Sequence, residues 1–222
     1  GLEVQAARPV AVYLNGEYWG FYNLREKINE HFLDAKINVS KSEINLLEKD
    51  AEVLFGSNDN YLQLIDFVKN NSLVIDANYN HVASKIDVDN FITYNVAQIY
   101  INNQDWPHNN IKFWNSPSTK WRWILFDTDF GWGLNGESHY FLDSLSYALG
   151  EEIGERKTQS WATVLLSRLL ERDEFLYAWI ISDSFFQDLE VIFEMHLPSQ
   201  TDWDTYLSPS YHEYLPGSMD NS

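Results

Sequence analysis

The chain has 222 residues, 45% of them hydrophobic and 16% aromatic, which is ample for a packed core and excludes a disordered polypeptide. Its 33 Asp and Glu stand against 15 Lys and Arg, a formal net charge of -18. The long-range field therefore disfavours nucleic acid and anionic membranes, and a bound nucleotide has to be received locally, by metal ions and a few placed cations.

Cysteine is absent, which removes disulfides, thiolate nucleophiles and Cys-based zinc sites while leaving the compartment open. No run of sequence has the length and apolarity needed to span a bilayer, and the N-terminus lacks a basic-then-apolar signal peptide. The start in Gly1-Leu-Glu-Val, without Met, reads as a processed or excised piece of a longer protein.

In chain order, Arg8 to Leu14 alternates around Val10, Val12 and Leu14, Asn15-Gly16 supplies a tight turn, and Tyr18 to Leu24 returns as an aromatic strand, so an antiparallel hairpin is expected. Gly20 in the return strand marks a bulge or a close backbone approach. The strand leaves through Asn23-Leu-Arg-Glu-Lys27, which reads either as an ordinary solvated strand end or as a hinge beside a nucleotide base. Glu30 to Ala35 is expected to form one or two helical turns, Ile44 to Leu47 a short strand, and Gly56 to Asn60 a turn and helix cap. Tyr61, Leu64, Ile65 and Val68 follow helical spacing behind Asp59 or Asn60, and a second helix is predicted from Asp89 to Asn102, capped by Asp87 or Asp89.

That helix feeds the stretch with the most chemistry in it. A polar loop, Asp105-Trp-Pro-His-Asn-Asn110, is followed by a strand from Ile111 to Trp114, a turn, and a strand from Trp121 to Phe126 that ends in Asp127-Thr-Asp129-Phe-Gly131. Carboxylate and amide oxygens are the hard ligands that Mg²⁺ or Mn²⁺ accept, and strands hold ligands rigidly. Asp105 and Asn110 stand five apart, as in the D-x-x-x-x-N pattern of protein kinases, where a second Asp follows the next hairpin; here that is Asp127 or Asp129. Two carboxylates with an amide close in the chain repel one another unless a cation lies between them. The D-x-D after a strand also fits the acidic motif of metal-dependent glycosyltransferases, although that motif should follow a βαβ domain rather than a hairpin and two helices. Lys112, at the start of the first strand, is a candidate phosphate contact, and His108 reads as a polar turn residue outside the mechanism.

Further on, Trp132 to Gly136 reads as a lid or a connector. Helices are expected from Trp161 to Glu171 and from Asp173 to about Glu190, the second with a core stripe of Phe175, Trp179, Phe185 and Phe186. The chain from Pro198 lacks periodicity, which divides the sequence into a domain over 1–197 and an irregular tail over 198–222.

Three ordered segments carry a family resemblance: Arg8-Pro-Val-Ala-Val-Tyr-Leu-Asn-Gly-Glu-Tyr-Trp-Gly-Phe-Tyr22 with Arg25-Glu-Lys27, then Asp105-Trp-Pro-His-Asn-Asn-Ile-Lys112, then Lys120-Trp-Arg-Trp-Ile-Leu-Phe-Asp-Thr-Asp-Phe-Gly131. Over about Leu2 to Leu170 the chain resembles the CotH kinase family of spore-coat-type atypical protein kinases. The resemblance implies an α+β, protein-kinase-like fold, with antiparallel hairpins and a mainly helical C-terminal lobe. It also implies transfer of phosphate from ATP, with Mg²⁺ or Mn²⁺, to hydroxyls, chiefly Ser, of secreted or coat proteins. The setting would be extracellular or at the cell or spore surface, without membrane insertion. By match of motif, Asp105 is the catalytic carboxylate, Asn110 and Asp127 are metal ligands, Asp129 is a further ligand, and Asn109 is the alternative to Asn110. Glu26 and Lys27 would offer main-chain contacts to adenine. The Gly-rich loop and phosphate-gripping Lys of kinase-like folds would lie upstream of Gly1, and the region after about Asp173 matches loosely. A catalytically silent surface or coat module of the same fold is the alternative reading.

Overall fold

The computed structural model describes residues 1–37, 39–131, 143–151 and 159–175, all within one compact unit, Gly1–Ile180. Their strands are β1 (Glu3–Val4), β2 (Ala7–Leu14), β3 (Glu17–Arg25), β4 (Asn45–Glu48), β5 (Glu52–Phe55), β6 (Lys112–Ser116) and β7 (Thr119–Leu125). The helices are α1 (Glu30–Ile37), α2 (Asp59–Asn70), α3 (Asp76–Ala83), α4 (Val88–Tyr100), α5 (Ser144–Ala148) and α6 (Ser160–Leu170). Five strands form a sheet in the order β1-β7-β6-β4-β5, antiparallel except for the parallel β1-β7 pair, while β2 and β3 form a separate ribbon.

Period-two alternation buries both faces of the central strands. Leu47, Phe113, Trp121 and Trp123 point into one core, shared with Leu64 and Val68 of α2, Phe91 and Tyr94 of α4, and Leu165 and Leu169 of α6. Their neighbours Leu46, Trp114 and Ile124 point into the other, with Phe32 and Leu33 of α1. The aromatic rings interlock: Phe113 stacks on Trp123 at 5.7 Å between centroids, and Phe91 meets Trp123 edge-on at 4.5 Å.

Helix α4 is locked to β7 by polar groups. Asp87 caps the helix by accepting from the Asn90 N–H at 3.1 Å. The Arg122 guanidinium, on β7, donates to Asp87, to Glu3 at 2.8 Å and to the Gly1 carbonyl at 2.6 Å. The outer edge of β7 is satisfied in three sections. Trp121 exchanges main-chain hydrogen bonds with Lys85 and Asp87 at 2.8 and 2.9 Å. The buried side-chain amide of Asn90 then accepts from the Trp123 N–H at 2.6 Å and donates to the Trp123 carbonyl at 3.2 Å. Beyond it, β1 pairs with Ile124 and Leu125. Asn90 thus does from a helix what a neighbouring strand would do.

The expected α+β fold, the hairpin, and the helices over α2, α4 and α6 are present, with ends shifted by one or two residues. Asn15 and Gly16 both have positive φ, 52° and 88°, which gives the turn the twist a two-residue hairpin needs. The register shifts opposite Gly20, whose φ is 131°, so the bulge reading of Gly20 is correct. Strands β1 and β5 and helices α3 and α5 were not anticipated. They are two to eight residues long, and α3 buries only Val82, so no apolar period marks it. Helix α1 runs to Ile37, beyond the expected end at Ala35. The large hydrophobic side chains of the ribbon, Tyr13, Leu14, Tyr18, Trp19, Phe21, Tyr22 and Leu24, are each half or more exposed. The stretch 132–136, most of the helix expected from Asp173, and the tail over 198–222 lie outside the described residues.

Two substitutions test this packing. Asn90→Leu leaves the Trp123 N–H and carbonyl buried without partners, at about 1–3 kcal/mol each, so urea unfolding should show a loss of about 2–6 kcal/mol with little change in slope. A loss below about 1 kcal/mol would show that the clamp is dispensable. At Gly131 an added Cβ would lie 2.9 Å from the Ile101 carbonyl oxygen and 3.1 Å from that of Thr128. Gly131→Ala should therefore cost about 1–3 kcal/mol, as overpacking does, and an unchanged unfolding midpoint would contradict this close approach.

Candidate active site

A buried polar ladder carries the fold to Asp105. Gln98, on the inner face of α4, donates to the Tyr94 hydroxyl at 3.3 Å and accepts from the Asn103 side chain at 2.9 Å. Asn103 in turn accepts from the Asp105 N–H at 3.1 Å. Burial holds the Tyr94 phenol far above its ordinary pKa, which favours the neutral, hydrogen-bonding form of the ladder. Trp106, buried against Tyr94, seats the loop in the helical core, and the peptide bond from it to Pro107 is cis. On the other flank Ser144 donates to Asn102 at 2.6 Å, and the Tyr147 hydroxyl lies 3.3 Å from Nδ1 of His108. Helix α5 thereby brackets the loop.

The acidic turn is tied to the same loop. The Gln104 N–H donates to the Phe130 carbonyl at 3.2 Å, and Gly131, which donates to the Thr128 carbonyl at 3.1 Å, lets the turn close on the end of α4. Asn110 and Asp127 sit in left-handed backbone, with φ of 52° and 53°. Asn and Asp tolerate this region better than other side chains, and it turns the chain sharply at both points.

The side chains then converge. Asn109 and Asn110 each donate from their amide nitrogen to the same oxygen, Oδ2 of Asp105, at 2.8 Å. The Asn110 amide nitrogen also faces the Asp127 carbonyl at 3.4 Å. Asp127 Oδ1 lies 3.3 Å from a guanidinium nitrogen of Arg25, which reaches over from the end of β3. Asp105, Asn109, Asn110 and Asp127 are all half-buried, open enough for a ligand and held from beneath.

Of the residues singled out in the sequence, Asp105, Asn109, Asn110 and Asp127 thus come together. Asp129 is exposed. Lys112 pairs with Glu48 at 2.8 Å and lies over the Phe126 ring at 4.8 Å, so its charge is matched within the protein. Glu26 is engaged on every side. Its N–H donates to the Ala6 carbonyl at 3.0 Å, its carbonyl accepts from Gln5, and its carboxylate accepts from the Ala6 N–H at 2.9 Å and pairs with Lys36 at 2.8 Å. That pairing with Lys36, followed by the Ala6 hydrogen bond, holds its carboxyl below the usual range. Its single main-chain donor is therefore already paired within the protein. Lys27 is exposed. Sequence reading gave no role to Arg25, to the Asn103 ladder or to the His108–Tyr147 contact. Arg25 lies 102 residues from Asp127, and a single Arg at a strand end carries no local signal.

The donor chemistry fits a hard divalent cation. Among the described residues no group of three or more His, Cys, Asp or Glu is placed to hold a metal. The set is instead one or two carboxylates with amide oxygens, and Mg²⁺ characteristically takes few protein ligands and completes its shell with water and phosphate oxygens. The Asn110 nitrogen is held by Asp105 and Asp127, leaving its Oδ1 as the acceptor to offer.

No curated protein matches the chain. The family model described as CotH kinase protein matches residues 1–180, which include every side chain of this site. With most of its length matched, its mixed sheet-and-helix architecture and its three motifs in order, the chain belongs to the CotH kinase protein family, a family of protein-kinase-like phosphotransferases.

Proposed function

We propose that this domain transfers the γ-phosphoryl group of ATP to a hydroxyl, chiefly that of Ser, on a secreted or coat protein outside the cytoplasm. The supporting observation is the convergence of Asp105, Asn110 and Asp127, delivered by two segments of chain onto one half-buried patch. With Asp105 Oδ2 held by two amides, Oδ1 is left to accept the proton of the attacking hydroxyl. As the hydroxyl oxygen forms its bond to phosphorus, the bond to the bridging oxygen breaks and ADP leaves. Asp127 and the Asn110 Oδ1 would hold Mg²⁺ or Mn²⁺, which when bound supplies positive charge against the phosphate oxygens. The protein's own surplus of acid makes that local charge a requirement.

The resemblance carries the export setting and the protein substrate. A catalytically silent surface module is the rival reading, and the Arg25–Asp127 pair favours it to the extent that Asp127 already has a counter-ion.

Two measurements separate these readings. With labelled ATP, Mg²⁺ and a Ser-containing acceptor, Asp105→Asn should lower transfer about 10²–10⁴-fold while Tm stays within a degree or two, and activity surviving within tenfold would remove Asp105 from the role of base. Mn²⁺ at roughly tenfold its Kd should stabilise the wild-type chain by about 1.4 kcal/mol, and Asp127→Ala should abolish that gain. If Mn²⁺ leaves the wild-type unfolding curve where it was, the silent module becomes the better account.

A further inference from the structure

The Arg25–Asp127 contact is unusual in its setting. Other cations near the site are matched by acids that take no part in it: Lys112 by Glu48 and Lys36 by Glu26. Arg25 instead faces a proposed metal ligand, at 3.3 Å, with 44% of its own side chain and 35% of that of Asp127 open to solvent. An exposed pair of this kind is weakly held and readily exchanged. A divalent cation on Asp127 would reverse its sign for Arg25, turning the neighbour from an anion into a net positive centre. The guanidinium then has to leave, and the anion that arrives with the metal is the nucleotide phosphate. A planar guanidinium suits phosphate oxygens, to which it can donate two parallel hydrogen bonds.

We infer that Arg25 is an exchangeable clamp, holding Asp127 while the cation site is empty and turning to a nucleotide phosphate once a divalent ion is bound. This rests on the phosphotransferase reading above and adds to it a phosphate-binding residue from β3. In a chain with a net charge of -18, it also keeps the acidic turn from repelling itself before the cation arrives. The clamp predicts opposite signs for metal and nucleotide, which a merely structural arginine would not produce.

The experiment is calorimetry on the whole chain and its Arg25→Gln and Arg25→Lys variants, first with Mn²⁺ alone and then with ADP or ATP at saturating Mn²⁺. Arg25→Gln should bind Mn²⁺ about 3–10-fold more tightly, because the competing cation is gone, and the nucleotide about 10-fold more weakly. Arg25→Lys, keeping the charge but not the fork, should restore the wild-type Mn²⁺ affinity and recover the nucleotide only in part. Both affinities unchanged, or both moving in the same direction, would overturn the clamp while leaving the metal site intact. A wild-type chain that binds no Mn²⁺ would instead overturn the phosphotransferase reading itself, and the clamp with it.

Discussion

The side-chain amide of Asn90, bonded to both main-chain groups of Trp123, is the constraint on which the rest of the arrangement depends. Helix α4 and strand β7 run away from this point, one into the Asp105 loop and the other into the Asp127 turn. Fixing them at Asn90 sets where both endpoints fall, because helix and strand are stiff over these lengths. Loss of either hydrogen bond in a buried environment would leave a strand group unsatisfied, which makes the contact costly to break. The Arg122 network reinforces it by joining the N-cap of α4 to β1 and β7.

The site meets the related problem of seating a polar loop against the core. The Tyr94–Gln98–Asn103 ladder ties a polar loop to the core and ends on the main chain of Asp105. The carboxylates stay at the surface, half-buried. Amides from Asn109 and Asn110 orient one, and Arg25 faces the other. An acidic protein thereby keeps both carboxylates at one site, with neutral amide donors around Asp105 and a cation against Asp127.

The ribbon of β2 and β3 obeys a different rule. The central strands β4, β6 and β7 are buried on both faces, whereas the ribbon exposes seven large hydrophobic side chains and is stabilised by cross-strand contacts such as Tyr13 against Tyr18 at 5.6 Å. Its alternating sequence reads like that of a half-buried strand, because alternation reports the pleat and not what lies against it. Its base is held by the mutual hydrogen bonds of Ala6 and Glu26 and by Lys36, which brings the end of β3, and with it Arg25, beside the acidic turn.

By itself the sequence determined the local elements with strong periods or strong turn chemistry: the Asn15-Gly16 hairpin, the helices over α2, α4 and α6, and the β6-β7 pair that delivers Asp127. It also determined the residue types at the site, since the spacing of Asp105 and Asn110 and the acid at a strand end are written in adjacent positions. Only the tertiary structure decided what lies across from them. That Asn90 stands in for a strand, that Glu26 is already engaged and that Arg25 faces Asp127 all depend on contacts between residues that sequence spacing does not relate, and that Asn109 and Asn110 share one oxygen of Asp105 depends on how the loop between them folds. A side-chain hydrogen bond needs only two groups to meet at about 3 Å, and no periodicity precedes such a meeting. Short elements such as β1, β5 and α3 escaped for the same reason. They are held by their neighbours, and their own sequences are too brief to carry a pattern.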